Sequence, residues 1–473
     1  MDKIMIFDLS LLVIFCIWVF WFLHSRKKNL TKEGWMYLYK TQLGVKYIDE
    51  FSSKYSKVLY ALRYPIILLG LILMGVMLFL LIQTVYIYWA FPQITQIIKA
   101  PPVMPLIPYF PQIFGVQSLM PPFYFTYFIV ALLIVAVVHE FSHGIFMRLF
   151  KVRIKSTGFA FLGPILGAFV EQNDQDLVRK SRRNQMTVLA AGVFANILFA
   201  GIFFLLLVGF FFLAYQPAGY VFSDYAYSPV SVKNITSFEM IGGTNLTKVY
   251  TSENKTYLFA GNSSYLSDVL KNQNLELIVL YENSPAINIR LKGVIVQIDN
   301  VAIKDREDLS EFLQGKNPGD VVSITTRIGT EEKSYRVELS SSPVNKSKAF
   351  LGVMNSEKVS RGVFGKVIGF LTDFKDPATD YQEKYLPSAT LYVYNLLWWI
   401  MMINLFVGLF NMLPLGVLDG GRFFYLGLYG LANKLGIEKK KSEKFAKKGF
   451  RIMSWLIGLI FVLMILAWIF ALR

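Results

Sequence analysis

The sequence predicts a polytopic α-helical membrane protein of six transmembrane helices, with a β-like segment re-entering the membrane and a mostly β, α+β domain outside it. Three observations carry this reading. Apolar residues make up 54% of the 473 and charged residues only 17%, where a soluble chain carries about a quarter charged. Six stretches hold the roughly 20 mostly apolar residues that a spanning helix needs: about 4–23, 66–90, 123–150, 186–214, 389–410 and 452–472. Between the fourth and fifth lies a stretch of about 170 residues with short β-like runs and turn residues.

The elements follow in order. Residues 1–65 hold the first helix and a basic segment. Only Lys3 precedes the apolar run, no small-residue cleavage site follows it, and Arg26, Lys27 and Lys28 come after it, so a cleavable signal peptide is not expected. Residues 66–122 hold the second helix and a loop with eight of the chain's 18 prolines between 91 and 122, which reads as extended or re-entrant because proline cannot donate to a helix ladder. Residues 123–214 hold the third and fourth helices. Between these lies 158–170, GFAFLGPILGAFV, apolar yet broken by Gly158, Gly163, Pro164 and Gly167. Irregular backbone at membrane depth is tolerated only where protein or a water-filled cavity receives it. Residues 389–422 carry the fifth helix, and 423–473 a basic segment and the sixth.

Basic residues assign the sides. Lys and Arg number nine in 24–65, one in 91–121, seven in 151–184 and seven in 423–450. The alternation places the N-terminus outside and the three basic segments in the cytoplasm. Much of the formal charge of +16 is thereby a topology signal, and no nucleic-acid partner is expected. A single cysteine, Cys16, excludes an internal disulfide framework and any cysteine-built metal site. The same logic puts 215–388 outside, where the sequons at Asn234, Asn245, Asn254, Asn262 and Asn345 all fall.

That external region divides into an insertion, 215–274, a second module, 275–355, and a juxtamembrane linker, 356–388. Within 275–339 the order is strand, strand, helix, strand, strand, in the runs LELIVLY, VIVQID, EDLSEFLQ, VVSITTRIG and SYRVEL. This order, with the phrases SPAINIRLKGVIVQIDNVAI and NPGDVVSITTRIG, resembles a PDZ domain of the type attached to proteases. PDZ domains add an extended peptide as an extra strand, and the resemblance leaves open whether this one binds peptide or only excludes bulky substrates.

Two of the three histidines stand in one pentad, His139-Glu140-Phe141-Ser142-His143. Residues four apart share a helix face, so both imidazoles can reach one zinc ion. Glu140, beside the first, can take a proton from a zinc-bound water. Ionisable groups in a lipid-embedded helix are costly and usually functional. A catalytic zinc needs a third protein ligand, and Asp419 in Asn411-Met412-Leu413-Pro414-Leu415-Gly416-Val417-Leu418-Asp419-Gly420-Gly421 is the best candidate. It falls on the same side of the membrane as the histidines, after a proline that ends the helix and before glycines that let the backbone turn tightly.

HEFSH in one span and NMLPLGVLDGG in a later one resemble the site-2 protease family of intramembrane zinc metalloproteases. The resemblance implies one Zn2+ held by His139, His143 and Asp419, with Glu140 as general base and acid. It implies substrates that are transmembrane segments of other proteins, already shortened by another protease. The segment ending in GAFVE is similar to the family's re-entrant β element, which implies that Gly163, Pro164 and Gly167 belong to a strand that receives substrate by strand addition. Asn196, in AAGVFANI, resembles a family position that steadies the tetrahedral oxyanion; a helix–helix hydrogen bond is the plainer alternative. Asn411 supports the ligands or serves structure alone. Two spans before HExxH resemble the branch with an external N-terminus. Two rivals stand beside this reading. One is a surface zinc protease with a glutamate ligand, whose downstream Glu-rich helix is absent. The other is a receptor or transporter with an external PDZ-like sensor and a structural metal site. Substrate identity, trigger and oligomeric state are not legible.

Overall fold

The computed structural model describes residues 3–91, 101, 106–117, 120–163, 165–242, 245–271, 275–355 and 369–471. The chain forms two units, one of residues 1–210 with 391–473 and one of residues 211–390.

In the first unit the apolar runs fold as helices: α1 (Lys3–Ser25), then, after a hairpin of β1 (Leu30–Glu33) and β2 (Met36–Thr41), α2 (Val45–Lys54) and α3 (Ser56–Ala90). A short α4 (Phe110–Ile113) precedes α5 (Phe125–Leu149), which is followed by β3 (Ile154–Leu162), β4 (Ile165–Gln172), α6 (Asp174–Val178) and α7 (Arg182–Ala214). Among the described residues six helices are long and apolar enough to cross a membrane: α1, α3, α5, α7 and two near the C-terminus. The protein is a multi-pass membrane protein.

Two boundaries differ by ten residues or more from those read in the sequence. Helix α3 runs through Pro65 from Ser56, ten residues earlier than expected, because Lys57 and Arg63 end an apolar run but are good helix formers. The last helix likewise starts at Lys439 rather than 452. The segment 158–170 pairs as an antiparallel hairpin, with Gly158 opposite Phe169 and Ala160 opposite Gly167. It is joined by the N-terminal hairpin in a four-stranded sheet of order β1-β2-β3-β4. Of the turn residues, Gly163 lies at a positive φ of 57°, which glycine adopts without strain; Pro164 lies outside the described residues.

The start of α5 is built from another helix. Tyr124 provides no side-chain cap. Instead Asp8 of α1, 2% exposed, accepts from the Phe125 and Thr126 amides at 2.7 and 3.0 Å and from the Tyr109 hydroxyl at 2.5 Å. A carboxylate there satisfies orphan N–H groups and meets the positive end of the helix dipole.

The second unit holds two sheets of size. One, of order β7-β11-β10-β9-β8, uses β7 (Tyr227–Ser231), β8 (Ile235–Met240), β9 (Leu246–Thr251), β10 (Thr256–Ala260) and β11 (Leu277–Glu282), with α8 (Ser263–Leu270) beside them. The other, of order β15-β14-β12-β5-β19, uses β5 (Tyr215–Tyr220), β12 (Val294–Ile298), β14 (Val321–Ile328), β15 (Glu331–Glu338) and β19 (Thr379–Glu383). Short strands β6 (Asp224–Tyr225), β13 (Val301–Ala302), β16 (Ser340–Ser341), β17 (Ala349–Phe350) and β18 (Val353–Met354) and helices α9 (Pro285–Asn288) and α10 (Arg306–Gln314) complete it. The run LELIVLY therefore closes the insertion's sheet, with Leu280 opposite Ser228, and does not pair with the strands that follow it. Period and turn residues reveal a strand but not its partner. Both ends of the unit meet at a stem, where Tyr215 faces Glu383 across the β5–β19 ladder.

The chain then returns as α11 (Pro387–Asn411), α12 (Asp419–Lys434) and α13 (Lys439–Ala471). The first unit's core joins Ile66 and Leu73 of α3, Phe146 and Met147 of α5, Val188 and Ala191 of α7, and Met412 and Phe423 around the α11–α12 turn. Replacing Asp8 by Leu strands two amides and a half-buried hydroxyl, at roughly 2–4 kcal/mol in all. Thermal unfolding in detergent should show D8L melting well below the parent, and equal melting temperatures would remove this capping role.

Candidate metal centre

His139 and His143 lie in the last turns of α5, one helical turn apart, and both are buried. Asp419 reaches them from the first turn of α12. The turn that delivers it is tight, with the Leu413 amide donating to Phe410 and Leu418 to Leu415. A Cβ on Gly420 would stand 2.3 Å from the Met412 carbonyl carbon, and one on Gly421 2.1 Å from the Leu415 oxygen. Both positions must therefore be glycine for Asp419 to arrive.

The three ligand atoms converge. Asp419 Oδ2 lies 3.2 Å from Nε2 of His139 and 3.2 Å from Nε2 of His143, and the two Nε2 atoms are 3.0 Å apart. Donors at about 2.0–2.1 Å from a tetrahedral zinc stand about 3.3 Å from one another, so the set fits that ion. Two nitrogens and one oxygen are also the donor types of a catalytic zinc site with an open fourth position. Among the described residues this is the one group of three or more such side chains close enough to share an ion.

Helix α7 packs behind the pair. The Val188 carbonyl meets His143 Nδ1 at 2.7 Å, Ser142 donates to the Ala191 carbonyl at 2.8 Å, and the Asn196 amide meets His139 Nδ1 at 3.0 Å. Between them sits Gly192, where a Cβ would lie 2.6 Å from His143 Nε2 and 2.7 Å from His139 Cε1. Sequence reading passed over Gly192; the small-residue run Ala190-Ala191-Gly192 was the available signal, since small residues let membrane helices approach closely.

The sheet closes another side. Glu140 Oε2 accepts from the Val170 amide of β4 at 3.0 Å. Val170 and Glu171 line the same cavity of about 500 Å³ as His139, Glu140, His143, Asn411 and Asp419. Gly163 and Gly167 do not line it, and Gly167 stands opposite Ala160 within the hairpin. Glu171 is held by Lys40 of β2 at 2.9 Å and by the Ser156 hydroxyl at 2.7 Å. The Lys40 hydrogen bond, then that of Ser156, keeps its carboxyl below the ordinary range. This tie is present above that range and is lost as pH falls through the lowered value. In β3, Lys155 occupies an irregularity between Ile154 and Ser156 and also lines the cavity.

The paired residues of HExxH and the later aspartate are thus brought together, with Glu140 beside them and Asn411 on the cavity wall. Asn196 is brought to the back of His139, away from the cavity lining.

Comparison with known proteins places the chain in a family. The model of peptidase family M50 matches residues 127–459, a span that contains both halves of the site. A protein of Borreliella burgdorferi named as a candidate zinc metalloprotease is 24% identical over 318 residues, 53% of this chain and 72% of that one. An uncharacterised protein of Methanocaldococcus jannaschii is 41% identical over 71 residues, 15% of this chain and 19% of its own length; the matched part is about a fifth of that relative.

Gly192→Ala should displace the imidazoles and lower bound zinc at least tenfold by elemental analysis. Gly201→Ala, on the same helix with open space around its Cβ position, should leave zinc unchanged. Equal zinc in both variants would contradict the role assigned to Gly192.

Proposed function

Because the chain belongs to peptidase family M50, the site-2 protease family, we propose that this membrane zinc metalloprotease hydrolyses peptide bonds inside the transmembrane segments of other proteins. The observation that supports this best is the meeting of His139, His143 and Asp419 within 3.2 Å, with Glu140 on the same cavity wall.

His139, His143 and Asp419 would hold the zinc, which when bound lowers the pKa of a water to about 7 and polarises a carbonyl. Glu140 takes the proton that the attacking water gives up and passes it to the leaving nitrogen. Its carboxylate is steadied for this by the Val170 amide. The protein's other task is to present an extended peptide. A substrate helix hides its carbonyls in its own hydrogen bonds, and in lipid each freed group costs several kcal/mol unless recaptured. Strand β4, an edge of its sheet beside Glu140, supplies backbone partners at that place. Recognition then depends on how readily the substrate helix unwinds.

In this reading the N-terminus and the 211–390 unit lie outside and the site opens toward the cytoplasm. The PDZ-like strands and α10 of the second unit act as a filter that favours substrates already trimmed by another protease. Because Tyr215 and Glu383 are cross-strand neighbours, a short Gly-Ser link can replace residues 216–382 without spreading the stem. The trimmed protein should cleave intact and shortened substrates at similar rates, and an unchanged preference would remove the filter.

The catalytic reading is tested by reconstitution with zinc and single-span substrates, with mass spectrometry of the products. Cuts should fall within the apolar segment. Glu140→Gln should reduce cleavage by at least a thousandfold while zinc remains bound, and retained cleavage in E140Q would refute the mechanism.

A further inference from the structure

We propose that Asn196 acts as a positioning residue that fixes the ring tautomer of His139 from behind, and does not bind the reacting oxygen of the substrate. The inference rests on the zinc-site reading above.

Both Nε2 atoms face the shared point and lie 3.0 Å apart, so both must offer a lone pair there for an ion to bind. A neutral imidazole that ligates through Nε2 carries its proton on Nδ1, and the partner of that N–H decides the tautomer. For His143 the partner is the Val188 carbonyl at 2.7 Å, a group that can only accept. For His139 it is the Asn196 amide at 3.0 Å. An amide can present either end, and oxygen and nitrogen are assigned from the network around them. With Nδ2 toward the ring, Asn196 Oδ1 is buried without a partner. That arrangement also pushes the ring proton onto Nε2, where it blocks the ion. With Oδ1 toward the ring, His139 Nδ1–H donates to it and Nε2 is free. The ring proton decides between the two orientations.

Position excludes the other role. Asn196 is 0% exposed and takes no part in lining the cavity that holds Glu140 and the three ligand side chains. A group that stabilises a developing oxyanion must reach within about 2.7–3.1 Å of it, which a side chain behind the imidazole does not. Val188, Gly192 and Asn196 follow at intervals of four on α7, so one face of that helix sets both histidines: a carbonyl for one, an amide oxygen for the other, and between them a residue with no side chain.

The test is zinc affinity, measured on the full-length protein in detergent by competition with a chelator of known strength, alongside cleavage. Asn196→Leu removes the acceptor and should weaken zinc binding 10–100-fold, the range for partners behind a ligating histidine. Asn196→Asp, which keeps an acceptor and has no amide hydrogens, should bind zinc within a few-fold of the parent and lose less than tenfold in kcat. A hundredfold loss of kcat in N196D with zinc affinity intact would assign Asn196 to the reacting oxygen and overturn the proposal. Parental zinc affinity in folded N196L would overturn it too. If N196L does not fold, N196D decides alone through the same two readings. A parent protein that binds no zinc would instead bring down the metal-site reading, and this inference with it.

Discussion

Two imidazole nitrogens and a carboxylate oxygen held within 3.2 Å of one another are a costly arrangement in an apolar setting. Lone pairs and negative charge repel at that distance, and burial weakens the screening that water would give. A divalent cation turns the same crowding into coordination. The surrounding structure can be understood as what is needed to assemble those atoms: α5 spaces the histidines, the Pro414–Gly421 turn delivers Asp419, and α7 lies against the rings because Gly192 leaves room. The Asp8 carboxylate holds the far end of α5, so the helix that carries two of the ligands is capped by its neighbour.

The sheet supplies what the metal cannot. Glu140 meets a backbone amide of β4, which sets its carboxylate beside the ligands, and the next residue along, Glu171, is tied to Lys40 of the N-terminal hairpin. Strand, glutamate and metal site are therefore linked through short contacts within one unit. The unit of residues 211–390 has its own two hydrophobic cores and begins and ends at one two-stranded stem, as expected of an insertion between two helices.

Legibility in the sequence followed the range of each interaction. The six apolar helices were plain, since burial in lipid demands length and composition that no short soluble element shows. His139, Glu140 and His143 were plain because helical spacing is local. Asp419 was found through its helix-ending proline and its glycines, which mark a turn by local backbone chemistry. Pairing was not legible. That β1 and β2 join the glycine-rich hairpin, and that β11 belongs with β7 and β10, depends on partners chosen across tens to more than a hundred residues. The capping role of Asp8 was not legible, because its three hydrogen-bond donors lie over a hundred positions away. Gly192 and Asn196 sit in an apolar helix whose repeat says that it spans a membrane and says nothing of which face meets a histidine.

The most direct measurement is zinc K-edge X-ray absorption on the purified protein, compared with its Asp419→Asn variant. The account predicts one zinc per chain with only nitrogen and oxygen neighbours at about 2.0–2.1 Å, two of them imidazoles, and loss of an oxygen neighbour or of the metal itself in D419N. Sulfur in the coordination shell, or an environment that D419N leaves unchanged, would contradict it.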